Sequence, residues 1–147
     1  MKFKAAVFLV LASLSASIYA GPFSDEMSKC LVKSTSDADK SLLIQWVFAA
    51  MSAHPDVKAL SNVSNEKGIE LNKRTAGLLV SLLTERCKAE TQQAVKYEGP
   101  GVLKTSFQVL GEVAMQGMMT NPDVVSYMSG LGKYVDTEAL KKTLSPK

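Results

Sequence analysis

Residues that carry chemistry are scarce in this chain: one histidine, two cysteines and one tryptophan in 147 residues, with aromatics at 7%. A single histidine, His54, rules out a multi-histidine metal centre and leaves a general base without a second imidazole. It precedes Pro55 at a helix end, where capping or a surface position suits it better than proton transfer. Ser52 and Ser61 lie near it in sequence, but no G-x-S-x-G elbow occurs and no orienting acid is placed. Among the carboxylates, Asp56 and Asp123 follow prolines and complement helix N-termini, while Glu66, Glu70, Glu85, Glu90 and Glu112 sit on polar faces with basic neighbours. No catalytic residue, cofactor or metal ligand is assigned, and the sequence leans away from an enzyme. The enzymatic alternative is a small exported hydrolase working through His54 or Glu112.

Blocks of like charge are also missing. Lysines alternate with carboxylates throughout, so there is no basic stripe with stacking aromatics and no nucleic-acid partner is expected. The apolar run near the start, Ala5 to Ala16, falls short of the roughly 20 residues that span a bilayer. Lys2 and Lys4 precede it and Ala20-Gly21 follows, the pattern of a cleaved signal peptide over residues 1–20. Ile18 is bulky for the third position before that cut. Export to the periplasm or the medium is expected, with no stable membrane span after processing. Losing Lys2 and Lys4 would lower the formal charge from +3 to +1, which implies no electrostatic partner. Residues 21–147 are then expected to form a single helical domain with a tail that frays from about residue 136.

Two cysteines in an oxidising compartment most simply pair, so Cys30 and Cys87 are expected to form one disulfide. Met27, Cys30 and Leu31 share one helical face, and Leu79, Leu83 and Cys87 share another, so the two faces can meet. Sustained period-two alternation is absent, which excludes strands and points to an all-α bundle of about five to six helices. A first helix is expected from Ser24, as its cap, to about Lys33. The second opens at Ser36 with Asp39 three residues on and continues to about Ala53. Its stretch Leu42 to Met51 is apolar nearly all round, which predicts the buried centre of the bundle. Pro55 starts a short third helix, and a long helical pattern then runs from about Ser64 to Tyr97. Beyond Glu98-Gly99-Pro100-Gly101, Leu103, Phe107, Leu110, Ala114 and Met118 mark the inner side of the next helix, and Asn121-Pro122 starts another. The corners Pro55-Asp56-Val57 and Pro122-Asp123-Val124, with Leu43 and Leu110 at the same offset, fit either a duplicated unit or independent use of the same helix-start chemistry.

Met115, Met118 and Met119 fall on one helical side, with Met128 a corner away. Thioethers suit cuprous copper, but no second histidine or free thiolate completes a set, so core packing or an adaptable apolar groove is expected. The candidate binding surface is Met115, Met118, Met119, Tyr127 and Met128, with Tyr134 nearby. In outline, an exported helical chain with a cysteine in its first helix and another after a long helix is similar, over Cys30 to Cys87, to the small acid-stress chaperones of the enteric periplasm. The residues after Cys87 have no counterpart there. Binding is therefore expected, either of another envelope or secreted protein, as an inhibitor, immunity-type factor, accessory or holdase would, or of a small apolar ligand. A ligand carrier would need a cavity lined by Trp46, Phe48, Phe107 and Leu110.

Overall fold

The computed structural model describes residues 21–145, so the expected signal peptide lies outside the described residues. Those residues form α1 (Pro22–Ser34), α2 (Asp37–Ser52), α3 (Pro55–Lys58), α4 (Asn65–Ser81), a π-turn (Leu82–Arg86), α5 (Lys88–Glu98), α6 (Val102–Met119), α7 (Pro122–Ser129), a 3-10 turn (Gly130–Tyr134) and α8 (Thr137–Leu144). The fold is all-α, with eight α-helices among the described residues rather than five or six. Two differences account for the count. The long helical pattern is interrupted by the π-turn, and residues 137–144 close as a separate helix, whose N-cap Asp136 accepts from the Ala139 amide at 3.0 Å.

Most helix starts follow from local chemistry. Ser36 and Asp39 form the capping box that their spacing implies, each side chain taking the other's backbone N–H. His54 and Asn121 cap the two proline-led helices: His54 Nδ1 accepts from the Asp56 amide at 3.3 Å, and Asn121 Oδ1 from the Asp123 amide at 2.9 Å. The start of α1 differs from expectation. Ser24 is buried inside the helix and Gly21 is the N-cap, with Pro22 in the first helical turn. Gly21 has no side chain with which to cap, and the Glu98 carboxylate does so from the far end of α5. It accepts from the Phe23 amide at 2.8 Å, from the Ser24 amide at 3.1 Å and from the Ser24 hydroxyl. Gly99, at a φ of 83°, then turns the chain out of α5 in a backbone conformation that favours glycine.

The core lies where α1 packs against α5, α6 and the π-turn, and where α2 packs against α4 and α6. Met27 and Leu31 from α1, Leu43 from α2, Leu82 from the π-turn, Cys87 just after it and Ala94 from α5 are all but inaccessible. The disulfide between Cys30 and Cys87 joins α1 to the residue between the π-turn and α5, with the Cα atoms 5.9 Å apart. On α6 the buried face is Val102, Ser106, Leu110, Val113 and Ala114, so it is rotated from the expected one and leaves Leu103 and Phe107 outside. Ser106 accounts for this. Its hydroxyl donates to its own helix at Val102 O, 3.1 Å away, which satisfies it in the core and leaves room for Met27, whose Sδ is 3.8 Å from that hydroxyl.

The expectation that α2 is the buried centre does not hold. Phe48 and Met51 are about half exposed, and α2 flanks the bundle without packing on α1. Apolar residues on every side give a helix no preferred face, and two neighbours cover only part of its circumference. Trp46 lies at the edge of this contact and donates from Nε1 to Asn72 Oδ1 at 2.8 Å. The two proline-cornered units meet through α2 and α6, where Ile44 lies against Gly117.

A second tie joins the same two regions as the disulfide. Arg86 donates to Ser34 O at 2.9 Å and to Asp39 Oδ2 at 2.7 Å, linking the π-turn to the α1–α2 junction. Burial pushes the Asp39 carboxyl up, but hydrogen bonds from the Arg86 side chain and from Ser36 outweigh this and hold it below the usual carboxylate range. A lowered carboxyl pKa contributes stability above the unfolded-state value, about 3.9, and that contribution is lost as pH falls through the folded-state value. Arg86→Ala is therefore expected to cost about 1 kcal/mol at neutral pH, since the pair is partly exposed, and less in acid. Urea unfolding of parent and variant at both pH values measures the difference. An equal loss at both would show that the Ser34 contact alone matters.

Candidate functional site

Downstream of Ser106 the chain is poor in charge: as far as Val135 the only ionised side chains are Glu112, Asp123 and Lys133. This stretch builds α6, the Asn121 corner, α7 and the 3-10 turn. From α7 into the 3-10 turn the apolar residues Val124, Tyr127, Met128 and Leu131 recur at i, i+3, i+4 and i+7, the spacing that groups residues on one helical side. Tyr134 follows Leu131 at the three-residue spacing of a 3-10 turn. Such a face normally turns inward. Here α7 packs only on the adjacent α6 and the 3-10 turn, and the face stays open: Tyr127 is 87% exposed, Leu131 70% and Tyr134 87%.

The methionines lie at the end of α6 that meets α7. Met115 and Met119 are about half exposed and Met118 is half-buried, while Met128 on α7 is half exposed. All five expected binding residues therefore fall on one continuous stretch of α6 and α7 around the Asn121 corner, outside the core. The rotation of α6 adds Leu103 and Phe107 to its exposed apolar flank. Both are expected inside because the steps of four, three and four from Leu103 through Phe107 and Leu110 to Ala114 form one stripe. Only the burial of Ser106, a polar residue, displaces them.

The four aromatic and aliphatic residues considered for a ligand cavity are dispersed. Leu110 is buried, Trp46 is tied to Asn72, and Phe48 and Phe107 are about half exposed. Two open clefts occur elsewhere. One, of about 440 Å³, lies beside the stack of Phe23 on Tyr97, whose ring centroids are 4.5 Å apart, and is floored by Ala89, Gln92 and Gln93. The other follows Leu140 and Leu144 along α8.

The residues weighed for catalysis have structural partners. His54 is exposed and caps α3, the Ser52 hydroxyl donates to Phe48 O at 2.8 Å, and the Ser61 hydroxyl accepts from the Val63 amide at 3.2 Å. Glu112 is exposed and accepts from Gln108 at 3.3 Å. Among the described residues, no group of histidine, cysteine, aspartate or glutamate side chains has the geometry to hold a metal ion, and no helix is long and apolar enough to cross a membrane. No protein-family profile, curated protein or solved structure matches this chain.

Proposed function

We propose that this is an exported protein that acts by docking another envelope or secreted protein on the apolar surface of α6, α7 and the 3-10 turn. The observation that carries the reading is the open apolar surface of α7 and the 3-10 turn, where Tyr127, Leu131 and Tyr134 stand in solvent within a stretch of few charged residues. Exposed apolar patches of this kind mark interaction surfaces, and tyrosine and methionine are enriched at the centres of interfaces. Tyrosine loses little conformational entropy when it is buried by a partner, and methionine adapts its shape. The two-cysteine pairing and the sequence of residues 1–20 support an oxidising, extracytoplasmic setting.

Because Tyr127 and Tyr134 are already solvated, Tyr127→Ser with Tyr134→Ser is expected to change folding stability by less than about 0.5 kcal/mol. Partner affinity should nonetheless fall by tenfold or more, the loss typical of a central aromatic anchor. A photoreactive residue at position 127, with a second at Gln93 in the cleft beside Phe23 and Tyr97 as control, tests this in the producing cell. One discrete crosslinked species at 127 and none at 93 supports the reading. Equal labelling at both positions, or none at either, overturns it, and a crosslinked dimer of the chain would identify the partner as a second copy.

A further inference from the structure

Gly21 occupies a place in the fold that needs its small size, with its backbone lying against the Glu98 carboxylate. It is the N-cap of α1, it has no side chain to satisfy the helix's first amides, and the Glu98 carboxylate fills that space instead. A Cβ at position 21 would overlap that carboxylate, so any larger residue would displace the cap. The Ser24 hydroxyl, which has the largest effect, and the Phe23 and Ser24 amides hold the Glu98 carboxyl below its usual range against the opposing effect of desolvation. The remaining charges at this end are otherwise engaged or exposed. Asp25 and Glu26 pair with Lys29, Lys96 sits over the Tyr97 ring, and Lys104 is exposed on α6.

We infer that the chain is processed between Ala20 and Gly21, and that the α-ammonium group so released is a structural ligand of Glu98 that pins the first helix to α5. Hydrolysis of that peptide bond by a signal-type endopeptidase breaks the C–N bond. Water supplies hydroxyl to the Ala20 carbonyl carbon and a proton to the Gly21 nitrogen, which takes a second proton from solvent. A single amide donor thereby becomes a cationic group with three donors, at the mouth of a carboxylate that already accepts from Phe23 and Ser24. The positive end of the α1 dipole adds to the attraction that holds the carboxylate there. Ile18 makes the cut irregular when judged from the residues before it. The residues after it supply the missing argument, because Gly21 is the residue at which a new terminus has a partner waiting.

The test uses the whole chain, expressed with residues 1–20 in an exporting bacterium and recovered from outside the cytoplasm. Terminal sequencing and intact mass should give Gly21 as the first residue. The α-amino group of that protein, titrated by NMR, should have a pKa above the ordinary value of about 7.7–8.0, and Glu98→Gln should return it to that range. Since Glu98→Gln also removes a helix cap and could unfold α1, a chain that begins at Ala20 serves as a second variant. It retains Glu98 and should show an ordinary α-amino pKa and a lower Tm. A raised ammonium pKa contributes stability below the unfolded-state value that is lost as pH rises through the folded-state value, so the Tm gap between the two chains should close in alkali. A mature terminus at any other residue overturns the inference. So does an α-amino group at Gly21 with an ordinary pKa, or a Tm gap that persists in alkali.

Discussion

Replacing Cys30 and Cys87 together by alanine is expected to lower the unfolding free energy by about 4 kcal/mol. The bridge closes a loop with a sequence separation of 57, and loop-closure entropy grows with the logarithm of that length. Domains of this size unfold at about 5–15 kcal/mol, so the loss would remove a large fraction of the total. Alanine is preferred to serine here because Cys87 is fully buried, and a serine hydroxyl there would add a desolvation cost unrelated to the cross-link. Urea unfolding of the alanine double variant, beside the parent with and without reductant, separates the bridge from the packing around it. The reduced parent and the variant should coincide. If both lie within about 1 kcal/mol of the oxidised parent, then Arg86 and the buried face of α1 suffice to hold the two regions together.

Two single-residue deletions, of Thr84 and of Gln92, should differ widely in cost. In the π-turn the Cys87 amide donates to Leu82 O at 2.8 Å, a bond one residue longer than the α-helical one. The turn absorbs one surplus residue, so that Leu82 and Cys87 both face inward although they are five positions apart. Deleting exposed Thr84 brings them to the i, i+4 spacing of an ordinary α-helix and leaves every inward residue inward. The deletion should cost less than about 1 kcal/mol and keep the disulfide. Deleting exposed Gln92 has no such slack to draw on. It turns the rest of α5 by about 100°, puts Val95 in the space of buried Ala94 and carries Glu98 away from α1. Overpacking and a lost cap together predict a loss of about 3 kcal/mol. Unfolding curves and non-reducing peptide maps of the two proteins measure both effects, and a Thr84 deletion as damaging as the Gln92 one would refute the account of the turn as a phase correction.

That phase correction is legible in the residues, although the pattern on either side of it is that of one continuous helix. The inward positions Leu71, Thr75, Leu78 and Leu82 advance by four, three and four, then by five to Cys87, and by four and three again to Thr91 and Ala94. One irregular step among regular ones leaves the helical pattern from Ser64 to Tyr97 looking continuous; Tyr97, at its end, is exposed and stacked on Phe23. Capping chemistry was readable wherever it is local, as at Ser36, His54 and Asn121. It was unreadable at α1, because Glu98 lies 75 residues from the amide it caps and nothing in the intervening sequence marks the pairing. The candidate surface was half legible. Its methionines and Tyr127 could be named from composition and spacing, whereas the exposure of Phe107 depends on how α6 is rotated against α1. That rotation is set by Ser106 and Met27 across a separation of 79 residues.

The position of α1 also governs the order in which the molecule can be completed. A chain delivered from its N-terminus presents Met27 and Leu31 first, yet the surfaces that cover them, on the π-turn, α5 and α6, are synthesised last among the elements of the core. At roughly 5–20 residues per second, several seconds separate the appearance of α1 from that of its partners. Through that interval its apolar stripe has no native cover, while α2 and α4 can already meet. The first described helix to emerge is thus the one whose contacts close the fold.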